Sequence, residues 1–302
     1  MADILVVDSI SEIHQSLGLP KPKHPLLSVF YHRDGILPES YDGVRLQLNL
    51  YQIMFKSGHE GSFGYGRNTY DFKEGSIIFT RPGQVITLES HDDGMVPRGW
   101  SLLFHPDLIR KSSLGRTIEE YNFFDYEVTE ALHVSDLEKT SLEELVHKIE
   151  LEYQQHIDRH SQKLIVSNIE LLLDYCTRYY DRQFFTRTNL HQDLVSDFNA
   201  LLRDYYRSDM LTKVGMPTVK YCGEAMNMSP NYLSDLLKKE TGKSAQEHIH
   251  HFVVDRAKTL LLGSTEAISH IAYDLGFEYS QHFSRLFKAK TGMSPGAYRR
   301  LN

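Results

Sequence analysis

Twelve residues running from Leu233 to Ser244 recur, in altered form, from Phe283 to Ser294. Between the copies Ser, Leu, Lys, Thr, Gly and Ser are retained, and the charge reverses at positions 235 and 240. A repeat at a fixed period of roughly 20–50 residues signals a repeated supersecondary unit, and it limits what the surrounding chain can be. Both copies have one design. A short amphipathic helix (Thr218–Met226; Ala267–Leu275) leads into a tight turn (Asn227-Met228; Gly276-Phe277). A second helix opens at a polar residue (Ser229; Tyr279-Ser280) and stops at Thr-Gly, where the glycine serves as C-cap. Two helices joined by a short turn make a helix-turn-helix, so two such motifs are expected, at 217–242 and 267–292. Between them Ile249, Phe252, Val253, Ala257, Leu260 and Leu261 fall at helical spacing, which predicts one rigid connecting helix over 245–262.

The chain upstream has a different texture. Residues from about 24 to 105 carry short apolar runs such as Leu26–Tyr31 and Ser76–Thr80, bounded by Pro, Gly and Asp, which predict many short strands in a barrel or sandwich. Val44–Tyr51 alternates strictly, with Val44, Leu46, Leu48 and Leu50 on one face. The other face holds Arg45, Gln47, Asn49 and Tyr51, which either line a ligand pocket or meet solvent. The period then becomes helical. Ser135 or Ser141 can cap a helix whose stripe is Leu142, Leu145, Val146, Ile149 and Tyr153, and a second helix runs through Leu164-Ile165, Ile169, Leu171-Leu172-Leu173 and Tyr175-Cys176. These two helices suit packing on the strands or pairing between subunits. Residues 182–192 interrupt the pattern and read as a linker. The expected organisation is therefore an α+β multidomain chain divided at 1–134, 135–181, 182–192 and 193–302, with the last domain all-α.

Charge follows the same division. The net charge is −7, yet residues 191–302 carry 14 Lys and Arg against 12 Asp and Glu, while residues 1–190 carry 19 against 28. From Arg285 to the end there are five cations and no acid. A basic end on an acidic body permits a phosphate-contacting surface without establishing one. The two cysteines, Cys176 and Cys222, lie in helical segments without metal-ligand spacing, and the N-terminus lacks a basic, apolar leader. No run approaches the ~18 apolar residues of a spanning helix. The expectation is a cytoplasmic protein with no membrane association and no cofactor.

Several residues invite chemistry. His248 and His251 are neighbours on a helix, but no further ligand completes a metal site, and a solvated helix surface is the plainer reading. His59-Glu60 has the same shortage, and Gln84–Thr87 supplies no histidine after Pro82-Gly83, as a metal-binding cupin would require. No phosphate loop, nucleophile elbow or paired-carboxylate motif occurs, which argues against an enzyme. Trp100, the one tryptophan, is either core or pocket wall.

The stretch Ile268–Phe277, then Ser280–Lys288, Thr291-Gly292-Met293-Ser294-Pro295 and Tyr298-Arg299, resembles the signature of the AraC/XylS family of transcription regulators. The first copy, through Ser229–Leu233 and Lys238–Gly242, resembles that family's other helix-turn-helix. Upstream, Tyr70-Asp71-Phe72 and Gly75 through Arg81-Pro82-Gly83-Gln84 resemble its cupin-type sensor domain. The resemblance implies a cupin-like β-barrel of jelly-roll type, a helical dimerisation segment, and a double helix-turn-helix reader of double-stranded DNA. It implies a homodimer at a promoter, with a small-molecule effector and RNA polymerase as further partners. Positions matching the family's base-reading residues are Asn231, Ser234 and Asp235 in the first unit, and Ser280, Gln281, Ser284 and Arg285 in the second. Asn and Gln can read adenine and Arg can read guanine. Asp235 stands where the family often carries a cation; it can accept from cytosine but is repelled by phosphate. Lys238, Lys288, Lys290, Arg299 and Arg300 suit phosphate, although Lys238 and Lys239 also read as a solvated helix face. Two alternatives stay open: a DNA-binding regulator whose barrel only dimerises or docks a protein, and a metal-dependent cupin enzyme.

Overall fold

A computed structural model describes residues 4–32, 45–57, 75–87, 98–155, 158–188 and 194–300. It divides into two compact units, Met1–Gln183 and Phe184–Asn302.

The first unit holds β1 (Ile4–Val7), α1 (Ile10–Ser16), β2 (Leu27–Tyr31), β3 (Arg45–Leu48), β4 (Tyr51–Ser57), β5 (Ser76–Thr80), β6 (Gln84–Thr87) and β7 (Arg98–Phe104). Short helices α2 (Pro106–Ile109) and α3 (Leu114–Thr117), strand β8 (Leu132–His133), α4 (Asp136–Gln154) and α5 (Ser161–Thr188) follow. The strands form a three-stranded sheet, β1-β3-β6, and a five-stranded sheet, β2-β7-β4-β5-β8. Pleating gives the larger sheet two faces. On one, Phe30 and Leu103 share a core with Val7, Ile10, Ile13, Leu46 and Leu48 from β1, α1 and β3, and with Leu50 just beyond β3. On the other, Tyr51 stacks on Phe104 at 5.0 Å, and Phe79 and Tyr180 close on Phe123 at 4.4 and 5.5 Å. That second face is covered by α4, whose buried residues are Leu142, Leu145, Val146, Ile149 and Tyr153, the stripe expected from the sequence. Tyr153 Oη accepts from the Val29 amide at 3.2 Å, and Ser135 closes a capping box with Glu138.

Two expectations change here, and a third lies outside the described residues. Val44 lies outside the described residues, and the rest of the alternating run is not one strand. The chain leaves the smaller sheet at Asn49-Leu50 and enters the larger one at Tyr51. Leu46, Leu48 and Leu50 are buried, Arg45 is exposed, and Gln47 and Asn49 are half-buried. Asn49 donates to Asp8, while Tyr51 enters the aromatic cluster. The four residues offered as a pocket wall therefore do not share a face, because alternation was carried across a strand break. Second, the expected linker is helical as far as Thr188. Arg182 pairs with Glu138 at 2.7 Å and donates to the His133 carbonyl, while Gln183 bonds the His133 amide and the Ala131 carbonyl. Polar residues that look like a break in the stripe are used to satisfy the backbone around β8. Third, Tyr70-Asp71-Phe72 and His59-Glu60 lie outside the described residues.

The second unit is helical: α6 (Leu194–Arg207), α7 (Met210–Val214), α8 (Val219–Ala225), α9 (Pro230–Thr241), α10 (Ala245–Gly263), α11 (Ile268–Asp274), α12 (Ser280–Thr291) and α13 (Pro295–Arg299). The connecting helix is α10, and at ~1.5 Å per residue its nineteen residues span about 28 Å. Its inward face carries Ile249, Val253, Ala257 and Leu261, all essentially unexposed. Among the described residues no helix is long and apolar enough to cross a membrane.

Candidate nucleic-acid interface

The two helix-turn-helix units share the chemistry that ends their second helices but not the chemistry that starts them, since α12 opens at Tyr279 without a side-chain cap. Ser229 caps α9 by accepting from the Tyr232 amide, with Pro230 at the first helical position. At the far end Gly242 takes φ 74°, and Gly292 ends α12 at φ 77°. Thr241 Oγ1 donates to the Leu237 carbonyl at 2.8 Å and Thr291 Oγ1 to the Phe287 carbonyl at 2.7 Å. The hydroxyls then accept from Lys243 and Met293 amides at 3.2 and 3.3 Å. The repeat thus extends to individual hydrogen bonds.

The two turns differ by one residue. Chain offsets are forty-nine from α8 to α11 and fifty from α9 to α12. Counting by the first offset pairs Asn227, at φ 55°, with Gly276, at φ 85°. Both turns place a residue in the left-handed region, where Gly and Asn are the tolerated types. The Met228 amide bonds the Gly223 carbonyl at 2.9 Å, and the Phe277 amide bonds Ala272 at 3.0 Å, matching links across the turn. The second turn is also braced from outside. Tyr206 Oη donates to the Leu275 carbonyl at 3.3 Å, and the Met216 amide donates to the Gly276 carbonyl at 3.1 Å.

With these helices fixed, Tyr232, Leu233, Leu236 and Leu237 of α9, and Phe283 and Phe287 of α12, turn inward. The opposite stripe of α12 presents Gln281, Arg285 and Lys288, all exposed and with no side-chain hydrogen bond or ion pair among the described residues. Ser280 and Ser284 beside them are half-buried. The matching stripe of α9 is Asn231, Asp235 and Lys238, of which Lys238 is exposed and the other two half-buried. Ser234 is half-buried and accepts from the Ala245 amide at 3.4 Å, a bond to the start of α10. Lys290 and Arg300 are exposed, whereas Arg299 is half-buried, with Nε and Nη2 unpartnered among the described residues. Sequence reasoning missed His282, exposed beside Gln281, and Tyr279, 54% exposed at the head of α12 and 5.5 Å from the His282 ring. The available signal was their place at the head of α12, with His282 about one turn before Arg285.

The histidine run on α10 is not a freely solvated face. His248 is half-buried, bonds Thr241 Oγ1 at 2.7 Å and packs edge-on against Phe198. Burial, with Lys243 and His251 nearby, holds its pKa below the ordinary imidazole value. Cys222 is buried and its thiol is pushed up to about 11. Among the described residues one trio could in principle hold a cation, Glu266, His270 and Asp274 along α11, all exposed. Their spacing of four residues, with His270 3.4 and 3.5 Å from the two carboxylates, gives ordinary surface pairing.

Comparison with known proteins matches residues 222–301 to a family described as a helix-turn-helix domain, and residues 51–165 to the AraC-like ligand binding domain. The uncharacterized HTH-type transcriptional regulator YijO of Escherichia coli is 28% identical over 193 residues, which is 64% of this chain and 64% of that relative. The HTH-type transcriptional activator RhaR of Escherichia coli is 36% identical over 83 residues, 28% of this chain and 29% of the relative. Among solved structures, the C-terminal domain of the two-component response regulator yesN from Fusobacterium nucleatum is 25% identical. It covers 36% of this chain and 99% of that domain, with a TM-score of 0.32.

Proposed function

This chain belongs to the AraC family of transcriptional regulators, and on that premise we propose that it is a dimeric, effector-responsive regulator reading double-stranded DNA with α9 and α12. The observation that carries the reading is the pair of matched stripes, Asn231/Asp235/Lys238 and Gln281/Arg285/Lys288, on two helices that end at the same left-handed glycine cap. The second helix of such a motif enters the major groove, and two units can address successive groove segments about one turn (~34 Å) apart. Gln281 and Arg285, with Ser280 and Ser284, read base edges in one segment; Asn231, Ser234 and Asp235 face the other. Lys238, Lys288, Lys290, Arg299 and Arg300 neutralise phosphates, which makes binding fall steeply with salt. The half-buried state of Asn231 and Asp235, and the acid at 235, make α12 the stronger reader.

Leu137 and Leu151 on α4 and Leu164 and Leu171 on α5 are 82%, 44%, 47% and 44% exposed, and they support α4 and α5 as the pairing surface of the dimer. The sheet unit supplies the effector site, and RNA polymerase is the further partner at the promoter. Selection of genomic fragments by the full-length protein tests the reading. Two short half-sites about one helical turn apart support it, and fragments recovered without a shared motif at every salt concentration, with or without cell metabolites, refute it.

A further inference from the structure

Both recognition helices pack on α10, whose buried face is aliphatic. Apolar burial is non-directional, so a seat on one helix leaves each unit free to slide and roll. A second connection removes that freedom. It comes from two adjacent tyrosines near the end of α6, Tyr205 and Tyr206, only 3% and 4% exposed. The Tyr205 ring meets Tyr221 of α8 edge-on at 4.9 Å, which ties α6 to the first unit. Its hydroxyl donates to the Gly215 carbonyl at 2.8 Å. The next amide, that of Met216, donates to the Gly276 carbonyl in the turn of the second unit at 3.1 Å. The Tyr206 hydroxyl donates to the Leu275 carbonyl in the same turn, while its ring packs on Phe252 of α10 at 5.2 Å. Arg256, one turn further along α10, places its guanidinium 5.4 Å from the Tyr206 ring. One short segment therefore holds α8, α10 and the second turn at once. Hydrogen bonds, unlike apolar contacts, fix both distance and angle.

We propose that Tyr205 and Tyr206 are positioning residues for DNA recognition. They lock the offset between α9 and α12, and so determine which spacing of half-sites the protein accepts, not which bases it reads. The proposal rests on α9 and α12 being the readers. One added base pair moves a half-site by about 3.4 Å and turns it by about 35°. No hydrogen bond survives a displacement of that size, so binding at an altered spacing breaks the brace. Each bond broken costs about fivefold in affinity.

The test is the affinity of the full-length protein for its selected site, and for the same site with one base pair inserted or removed between the half-sites. Wild type should prefer the selected spacing by about tenfold or more, since more than one bond is lost at any other. Tyr206→Phe keeps the ring and loses only the hydroxyl. It should lower that preference about fivefold while base preference within each half-site stays as in wild type. Tyr205→Phe, which leaves the contact with Tyr221 in place, should act in the same direction. A purely structural role would lower affinity at every spacing alike and leave the preference unchanged. That result, or an altered base preference with the spacing preference intact, overturns the proposal. A wild-type protein that selects a shared motif but tolerates every spacing overturns the proposal and leaves the DNA-reading assignment standing. One that selects no shared motif overturns that assignment, and the proposal with it.

Discussion

Gly276 and Gly292 have similar backbone angles, φ 85° and 77°, but very different surroundings. A Cβ at Gly292 would meet nothing within 4 Å. At Gly276 it would lie 2.7 Å from the Met216 amide nitrogen, 2.8 Å from Leu211 Cδ2 and 2.9 Å from the Gly215 carbonyl carbon. Gly292→Ala should therefore cost only the left-handed strain of an L-residue, about 1–2 kcal/mol. Gly276→Ala adds a backbone displacement that breaks the Met216–Gly276 bond and loosens the Tyr206–Leu275 bond, each worth about 1 kcal/mol. The total is about 3–4 kcal/mol. Guanidinium unfolding followed at two wavelengths separates the units, since Trp100 fluorescence reports the first and far-UV circular dichroism is dominated by helices of both. Gly276→Ala should split the transitions, with the circular-dichroism loss moving to lower denaturant while the fluorescence midpoint stays. Equal effects of the two substitutions would refute the contact argument, because the strain they share would then be the whole cost.

Arg285→Ala should relax preference at one base position and lose about 1–3 kcal/mol on the preferred site; unchanged preference in a binding-site selection removes Arg285 from the readers. Lys288→Ala should weaken all sequences alike and flatten the salt dependence by about one phosphate contact, and a loss confined to one sequence would contradict a phosphate role. Burial, with Lys56 nearby, pushes His32 down to about 4. Between the ordinary value of 6.5 and that level the unfolded chain takes up a proton that the folded chain refuses, so the first unit should lose stability as pH falls through this window. His32→Gln should flatten that dependence, and a fluorescence-detected denaturation series that keeps the full pH slope excludes His32 as its source. Ser229→Ala removes the cap on the Tyr232 amide and should destabilise α9 by about 1 kcal/mol, read as faster amide exchange in the first turn of that helix with α12 unaffected.

The DNA-facing unit was legible in the sequence because its determinants are local. Ser229, Gly242 and Gly292 act within one helical turn of themselves, and the inward stripe of Phe283 and Phe287 follows from the period of a single helix. Even the turns, Asn227-Met228 and Gly276-Phe277, were paired from the sequence, and the structure added the left-handed backbone and the matching cross-turn bonds that they share. The sheet unit was less legible. Its strand runs were recognisable, but an alternating pattern cannot show where a chain changes sheets, and Arg45, Gln47, Asn49 and Tyr51 were consequently grouped as one face.

By itself, then, the sequence determined the elements and the exposed chemistry of the recognition helices, because caps, periods and left-handed residues are short-range signals. Tertiary structure decided everything that depends on which distant backbone a side chain meets. It placed Arg182 and Gln183 on the backbone around β8 rather than in a linker, and it gave Ser234 the Ala245 amide as a partner. It also put His248 against Thr241 and Phe198, and set Trp100 and Tyr31 opposite Glu143. A polar residue announces that it needs a partner, but only the assembled fold supplies one, since a buried polar group is tolerated only where a complementary group from elsewhere in the chain has been brought within hydrogen-bonding distance.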